Sequence, residues 1–446
     1  MKKVILTFIL AVLLSSFLKA QDRVWTMEDC MRFAVENSPA VKQKSYQEDT
    51  YKAEQSSAIA NFFPSLDGSI GAEYNWGRGI DPETNMYTLN TTSFYNSYRL
   101  NANMPLFSGG QLVNNWRLSK VNRQIGMNDV QKAKDDLALK VMVAFVDVVY
   151  YQGTKKYALD KLAESRAILH KTERMVELGL KSKADLALVE AQVAEDDYNR
   201  TRQENLYNLA VATLKDLMNF PLEDALAVDA LTADIDLLLS MESTIDIYNI
   251  ASETNPTALQ AAYQVKAVKM NHLIQKGKLF PTISAYAGVS TSYVDMISSD
   301  KPADSFKDQF RNKRGEWVGV SVSIPLFSRL DRITNVRRAK NNLRIAAEQQ
   351  TETLRQLKTT IEKAVLDREG YAKETIQMEK KEKADAYAYQ QTLRKYEEGL
   401  MSPIDLQTSA NALLMSKANL LQRKLLYLLK CKEVEYYKGE PLVIDN

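Results

Sequence analysis

The chain has 446 residues with 58 Lys+Arg against 56 Asp+Glu, a formal net charge of +2, and that balance carries no electrostatic footprint for nucleic acid. Its only imidazoles, His170 and His272, stand in unrelated contexts, which leaves no basis for a histidine metal centre or a serine–histidine hydrolase. No cofactor is expected, and no enzyme.

Residues 1–20 read as a secretory signal. Lys2-Lys3 is a charged start, Val4 to Leu14 an apolar core, and Leu18-Lys19-Ala20 precedes polar Gln21. Leu18 is not the small residue preferred at such a site, so the cut is placed to within a few residues. No lipobox precedes Cys30, and no run of 18 or more apolar residues follows the signal, so neither an acylated N-terminus nor a transmembrane helix is expected. The exported chain either stays soluble or spans a membrane as strands.

From Met27 onward the chain says nearly the same thing twice. Pro39, Pro64, Pro105, Gly179, Asp185 and Pro221 recur as Pro256, Pro281, Pro325, Gly399, Asp405 and Pro441, offset by about 217 positions for the first two pairs and about 220 for the rest. A short insertion therefore falls between Pro281 and Pro325. Such duplication means two copies of one unit, residues 27–223 and 244–443, each burying its apolar face with help from the other.

In each copy a helical stretch comes first, Met27 to about Phe62 and Thr244 to Leu279, ended by Pro64 and Pro281. The period then changes from helical to two. Leu66 to Trp76 and Phe94 to Leu106, then Ile283 to Val289 and Val318 to Ile324, alternate apolar with polar or small residues. They define hairpins over 65–107 and 281–327. The connecting loops, Gly77 to Thr92 and Asp295 to Gly315, read as polar and unpacked. Helical hairpins over 110–219 and 329–438 follow, with first arms of about 65 to 70 residues, roughly 100 Å at about 1.5 Å per residue. Leu162, Leu169 and Val176 mark a seam at coiled-coil spacing. Gly179 and Gly399 break these arms; Ser182 and Ser402 read as N-caps, with Asp185 and Asp405 three residues on. Cys30 and Cys431 sit near opposite ends of the duplicated body and read as small buried hydrophobes, a disulfide being the alternative.

A soluble periplasmic coiled-coil scaffold accounts for the helices but not for the strands. Their apolar faces are expected to carry Tyr74, Trp76, Phe94, Tyr98 and Trp317 towards the loop ends, opposite a face of Gly, Ser, Thr and Asn. An outward apolar band with aromatic ends and a polar interior is the pattern of an outer-membrane barrel strand. Four strands cannot close a barrel without an exposed edge, whereas three chains give twelve and leave a channel. The sequence predicts a homotrimer. On this reading Asp67, Glu73 and Arg99 line the lumen as solvated charges, and clusters such as Arg337-Arg338 and Lys380-Lys381-Glu382-Lys383 are wet helix faces.

The chain resembles the TolC-like outer-membrane efflux proteins over essentially its whole mature length. The resemblance rests on the strand entries at Pro64 and Pro281 and the Pro-Leu-Phe-Ser exits at 105–108 and 325–328. The Gly-Leu-x-Ser-x-x-Asp-Leu turns at 179–186 and 399–406, Trp25-Thr26-Met27-Glu28-Asp29-Cys30 and Asn37-Ser38-Pro39 complete it. It implies an α+β membrane protein: long α-helical hairpins forming a periplasmic α-barrel, and four transmembrane β-strands per protomer in a trimeric twelve-stranded β-barrel embedded in outer-membrane lipid. An equatorial belt would comprise 220–245 and 439–446. It also implies a passive exit duct served by a periplasmic adaptor (membrane fusion protein) and an inner-membrane transporter. Gly179, Leu180, Ser182, Gly399, Leu400 and Ser402 are then the adaptor-docking tips, and Asp185, Tyr396 and Asp405 the periplasmic gate. The best-known member has an arginine where this chain has Met401 and a second aspartate where it has Thr408, so its closing salt bridge cannot form here in the same way. Drug efflux, metal efflux and type I protein secretion all use such a duct; small-molecule efflux is the leading expectation.

Overall fold

The computed structural model describes residues 24–80, 86–230, 242–297 and 302–443. The expected signal sequence lies outside them, as do parts of both expected equatorial segments. In chain order the elements are β1 (Val24–Trp25), α1 (Met27–Asn37), α2 (Pro39–Ala60), β2 (Ser65–Ile80), β3 (Tyr87–Ser108), α3 (Gln111–Glu177), α4 (Lys183–Met218), β4 (Ala227–Val228), α5 (Thr244–Thr254), α6 (Pro256–Gly277), β5 (Thr282–Met296), α7 (Phe306–Asn312), β6 (Gly315–Ser323), α8 (Asp331–Glu397) and α9 (Pro403–Tyr437). The duplication is plain in this order, and α7 is the element the second copy adds.

The opening helix of each copy is two helices, not one. Proline disfavours the helical conformation in the residue before it, so Ser38 (ψ 123°) and Asn255 (ψ 129°) are extended and α2 and α6 start afresh at Pro39 and Pro256.

Two compact units result. One comprises the chain through Ser45, Asn128–Leu259 and the part from Glu352; the other comprises Tyr46–Met127 and Gln260–Thr351. The first is helical. Cys30, Ala34, Val141, Phe145, Val148, Leu214 and Met218 form its main core, and Trp25, Phe33 and Phe220 meet edge to face beside it. The most apolar 18-residue window of α3 reaches a mean hydropathy of 1.2 and is half buried; the buried stretch from Ala138 to Val149 accounts for it by packing. Cys30 and Cys431 are not joined in a disulfide, and Cys30 is buried. β1 pairs in parallel with β4, and Glu242, where the chain returns after Val228, binds Arg368 at 3.0 Å and Lys438 at 2.5 Å. The helical seam is in part the expected one. In α3 Leu162 is buried while Leu169 and Val176 are half-buried, and Ala158, Ser165 and Thr172 form a second buried row at the same spacing; in α8 Ile361, Arg368, Thr375, Tyr389 and Tyr396 keep the seven-residue spacing.

The second unit carries an antiparallel sheet in the order β2-β3-β5-β6. Residues directly opposite one another share a face. Ile70, Tyr98 and Thr291 are therefore aligned on one face, as are Leu100 with Val289, and Ala287 with Val318. The other face carries Ser69, Arg99 and Ser290, with Asp67 and Glu73 in the same parity. Three expectations change here. The first hairpin is longer than expected, with β2 running to Ile80 and β3 starting at Tyr87 across a bulge at Gly77/Gly79. Trp317 lies on the polar face, opposite Gly288, where any Cβ would strike its ring; the aromatic side chain fills the space the glycine leaves. The Asp295–Gly315 connection is packed, since Phe306 and Phe310 of α7 meet Tyr98 edge to face at centroid distances of 6.1 and 5.4 Å.

β3 is paired on both sides and stays a strand through Ser108, whereas β6 is an edge strand and stops at Ser323. The matching Pro-Leu-Phe-Ser words therefore have different structures. Without a second partner, no strand among the described residues holds 325–328 in the sheet.

Candidate gate and docking tips

Both tips lie in the first unit and are built from the same parts. α3 ends with Gly179 at φ 75°, a left-handed conformation that glycine adopts without steric cost. The Leu180 amide then reaches the Met175 carbonyl at 2.8 Å, and the Gly179 amide the Val176 carbonyl at 3.0 Å. At the end of α8, Gly399 sits at φ 80°, with Leu400 bonded to Lys395 at 2.9 Å and Gly399 to Tyr396 at 3.0 Å. These paired bonds satisfy carbonyls that a helix end leaves bare.

Each return helix starts with a reciprocal cap. The Asp185 amide donates to Ser182 Oγ at 3.1 Å and the Ser182 amide to Asp185 Oδ2 at 3.1 Å; Asp405 and Ser402 do the same at 3.2 and 3.3 Å. Ser182, through its backbone first and its hydroxyl second, holds the Asp185 carboxyl below the usual carboxylate range. These rigid turns leave Leu178, Leu180 and Leu400 about 70% exposed, at 73%, 66% and 72%.

Of the expected gate residues, only Tyr396 is buried, at 1% exposure. Its hydroxyl pairs with Thr172 Oγ1 at 2.8 Å and not with Asp185, and burial pushes its phenol upward. Tyr389, Leu406 and Ala410 pack with it, alongside Ile168, Leu393 and Met401. Asp185 and Asp405 stay at the exposed cap positions, each closing its own helix start.

Sequence reasoning missed Lys181. Its ammonium donates to the Met401 carbonyl at 3.0 Å and lies 4.9 Å from the Tyr396 ring centroid, within cation–π range. Lys171 pairs with Glu397 at 3.0 Å nearby. A cation therefore does act at Met401, but it arrives from the other copy of the repeat and binds the backbone. The signal was the unspecified third position of the turn motif, Lys181 in one copy and Met401 in the other.

The outer membrane efflux protein profile matches residues 32–219 and 247–432, one match per repeat. Among solved structures, CusC superposes with a TM-score of 0.78 over 96% of each chain at 14% identity. VceC of Vibrio cholerae gives 0.77 at 13% identity, covering 93% of this chain and 96% of its own. CmeC of Campylobacter jejuni gives 0.78 at 14% identity, covering 94% and 87%. No curated protein matches the chain by sequence. The likeness to solved structures establishes the fold, and the profile covers most of both repeats. The chain belongs to the outer membrane efflux protein family, TolC-like trimeric channels with a twelve-stranded barrel in the outer membrane and long helices in the periplasm.

Proposed function

We propose that this efflux duct is the passive exit of a tripartite export system for small molecules, docked at its helical tips to a periplasmic adaptor that links it to an inner-membrane transporter. The observation that carries the reading is the pair of turns. Each fixes exposed leucines, Leu178 and Leu180 on one and Leu400 on the other, on a frame closed by a left-handed glycine and a reciprocal Ser–Asp cap. Apolar side chains held rigidly in water form a surface for a protein partner. Gly179, Ser182, Gly399 and Ser402 shape that surface, and Leu180 and Leu400 fill the partner's pocket.

Closure belongs to the same end. Tyr396 knits α8 to α3 through Thr172, and the gate opens when the helices around it separate. Three copies of Asp405, one per protomer, face the narrowed axis and draw cations towards it. No step in such a duct consumes energy; the transporter drives the cargo.

The test is a double substitution, Leu180→Asp with Leu400→Asp, in cells that extrude a fluorescent dye through this protein. Dye should accumulate to the level of a deletion strain while the amount of trimer in the outer membrane is unchanged. Export at the unmodified rate refutes tip docking. A deletion strain that keeps dye export but loses toxic-metal or protein export reassigns the cargo.

A further inference from the structure

The sheet face that carries Ile70, Leu100 and Val289 is the apolar one, and in a membrane barrel that face meets lipid. α7 does not extend the sheet; it folds back over this face. Ser305 caps it, accepting the Asp308 amide at 3.2 Å. Gln309, 5% exposed, replaces a strand partner: its amide accepts from the Val294 N–H at 3.0 Å and donates to the Val294 carbonyl at 2.9 Å. Thr291 Oγ1 adds a bond to the Phe310 carbonyl at 2.7 Å. Phe306 and Phe310, one turn apart, then pack on the sheet aromatics while remaining 48% and 41% exposed.

Beside this helix an open groove of about 560 Å³ runs over the sheet, lined by Ile70, Tyr98, Leu100, Val289, Phe310 and Arg314, with Ser69, Arg99 and Ser290 also bordering it. Its size falls in the range of small-ligand sites. The segment beside it is basic. Phe306 to Glu316 contains Lys307, Arg311, Lys313 and Arg314 against only Asp308 and Glu316. The two carboxylates hold Arg311 and Arg314 in exposed ion pairs. Such pairs are weak, and a phosphate, which accepts paired guanidinium bonds, competes well with them. An apolar slot on the membrane face, edged by aromatics and by more cations than anions, is shaped for an acyl chain with an anionic headgroup.

We propose that this groove is a lipid site: it holds an acyl chain of a phosphate-bearing outer-membrane lipid, with the lipid phosphate on Arg311 and Arg314. The site needs only the barrel's position in the membrane and is independent of cargo and adaptor.

The test uses delipidated full-length trimer in detergent, titrated with diphosphorylated lipid A and followed by native mass spectrometry. Up to three lipids should be retained per trimer. Arg311→Gln with Arg314→Gln should retain about tenfold less, the scale of one or two lost charge-assisted bonds. Leu100→Trp, which fills the groove and keeps the charges, should lose retention as well. Trimer mass in the same spectra shows that each variant is assembled. Equal retention of dephosphorylated lipid A, retention unaffected by either variant, or no retention by an intact wild-type trimer overturns the proposal. Single-channel conductance of the same samples reports on the duct separately and should not change.

Discussion

Lys181 and Met401 hold equivalent places in the two copies of the helix turn, and the Lys181 ammonium donates to the Met401 carbonyl at 3.0 Å. The duplicated turns thus touch at the first of the positions where they differ. Two lysines there would set like charges side by side, and two methionines would leave the carbonyl without this donor. Divergence at this position turns a near-symmetric pair into a donor and an acceptor, next to the buried Tyr396–Thr172 bond.

Lys181→Met should loosen the closed tip. A bond from a charged donor contributes about 1.5 kcal/mol or more when buried; discounted for a half-exposed lysine, about 1 kcal/mol remains, roughly a fivefold shift in the closed-to-open ratio. Lys181→Arg should keep most of the bond. Planar-bilayer recordings of the purified trimer check this: open time should rise in the methionine variant and stay near wild type in the arginine variant. Identical traces for all three remove Lys181 from the gate.

Asp405 tests the charge ring. Asp405→Ala should lower the cation preference of the channel, measured as the reversal potential across a salt gradient. It also deletes half of the Ser402 cap, which costs about 1 kcal/mol of local helix stability. Ser402→Ala, which removes the cap partner and keeps the carboxylate, separates the two effects and should leave selectivity alone. An unchanged reversal potential in the aspartate variant excludes a pore-facing ring.

The turns were legible because their grammar is local: Gly, Ser and Asp act within six residues, and the same words fix the same geometry in both copies. Strand periodicity was legible for the same reason. What escaped were pairings set by distant register. Thr172 and Tyr396 are 224 positions apart, and no local pattern marks the threonine as a partner. Trp317 was placed on the apolar face by residue type, whereas its place opposite Gly288 depends on how β5 and β6 align. α7 did leave a signal, a Ser305–Asp308 cap with Phe306 and Phe310 one turn apart. The surrounding Asp, Lys and Ser masked it as loop.

Asp135 supplies a pH dependence. It is 7% exposed, and burial pushes its carboxyl upward against the opposing bonds from Gln131 and from Tyr436, whose hydroxyl lies at 3.1 Å. Between the unfolded carboxylate value, about 3.9, and the raised folded value, the native state binds more protons than the unfolded one. The stabilisation from Asp135 is therefore complete below the unfolded value and is lost as pH rises through the folded one. Asp135→Asn keeps an acceptor for Tyr436 and removes the charge, so its thermal midpoint should fall less than wild type over that window. Parallel melting curves for the two proteins would show that Asp135 ionises without burial cost.

Gln309 tests how the chain protects its own sheet edge. β6 begins at Gly315, opposite Ser290, so among the described residues no strand lies on the outer side of β5 beyond that point. An uncovered edge exposes N–H and C=O groups to any passing strand, and in lipid it has no water to satisfy them. Gln309 meets both groups of Val294 with one side chain. Gln309→Ala should cost about 1–3 kcal/mol, the penalty for leaving buried polar groups unpaired, and should lower the temperature at which the trimer dissociates on a semi-native gel. Gln309→Glu keeps an acceptor for the Val294 amide and gains an ion pair with the Lys313 ammonium, now 2.5 Å from the Gln309 oxygen, but it sets a carboxylate against the Val294 carbonyl, so it should fall less than the alanine variant. Wild-type dissociation temperatures for both would mean that the neighbouring protomer, and not α7, covers this edge.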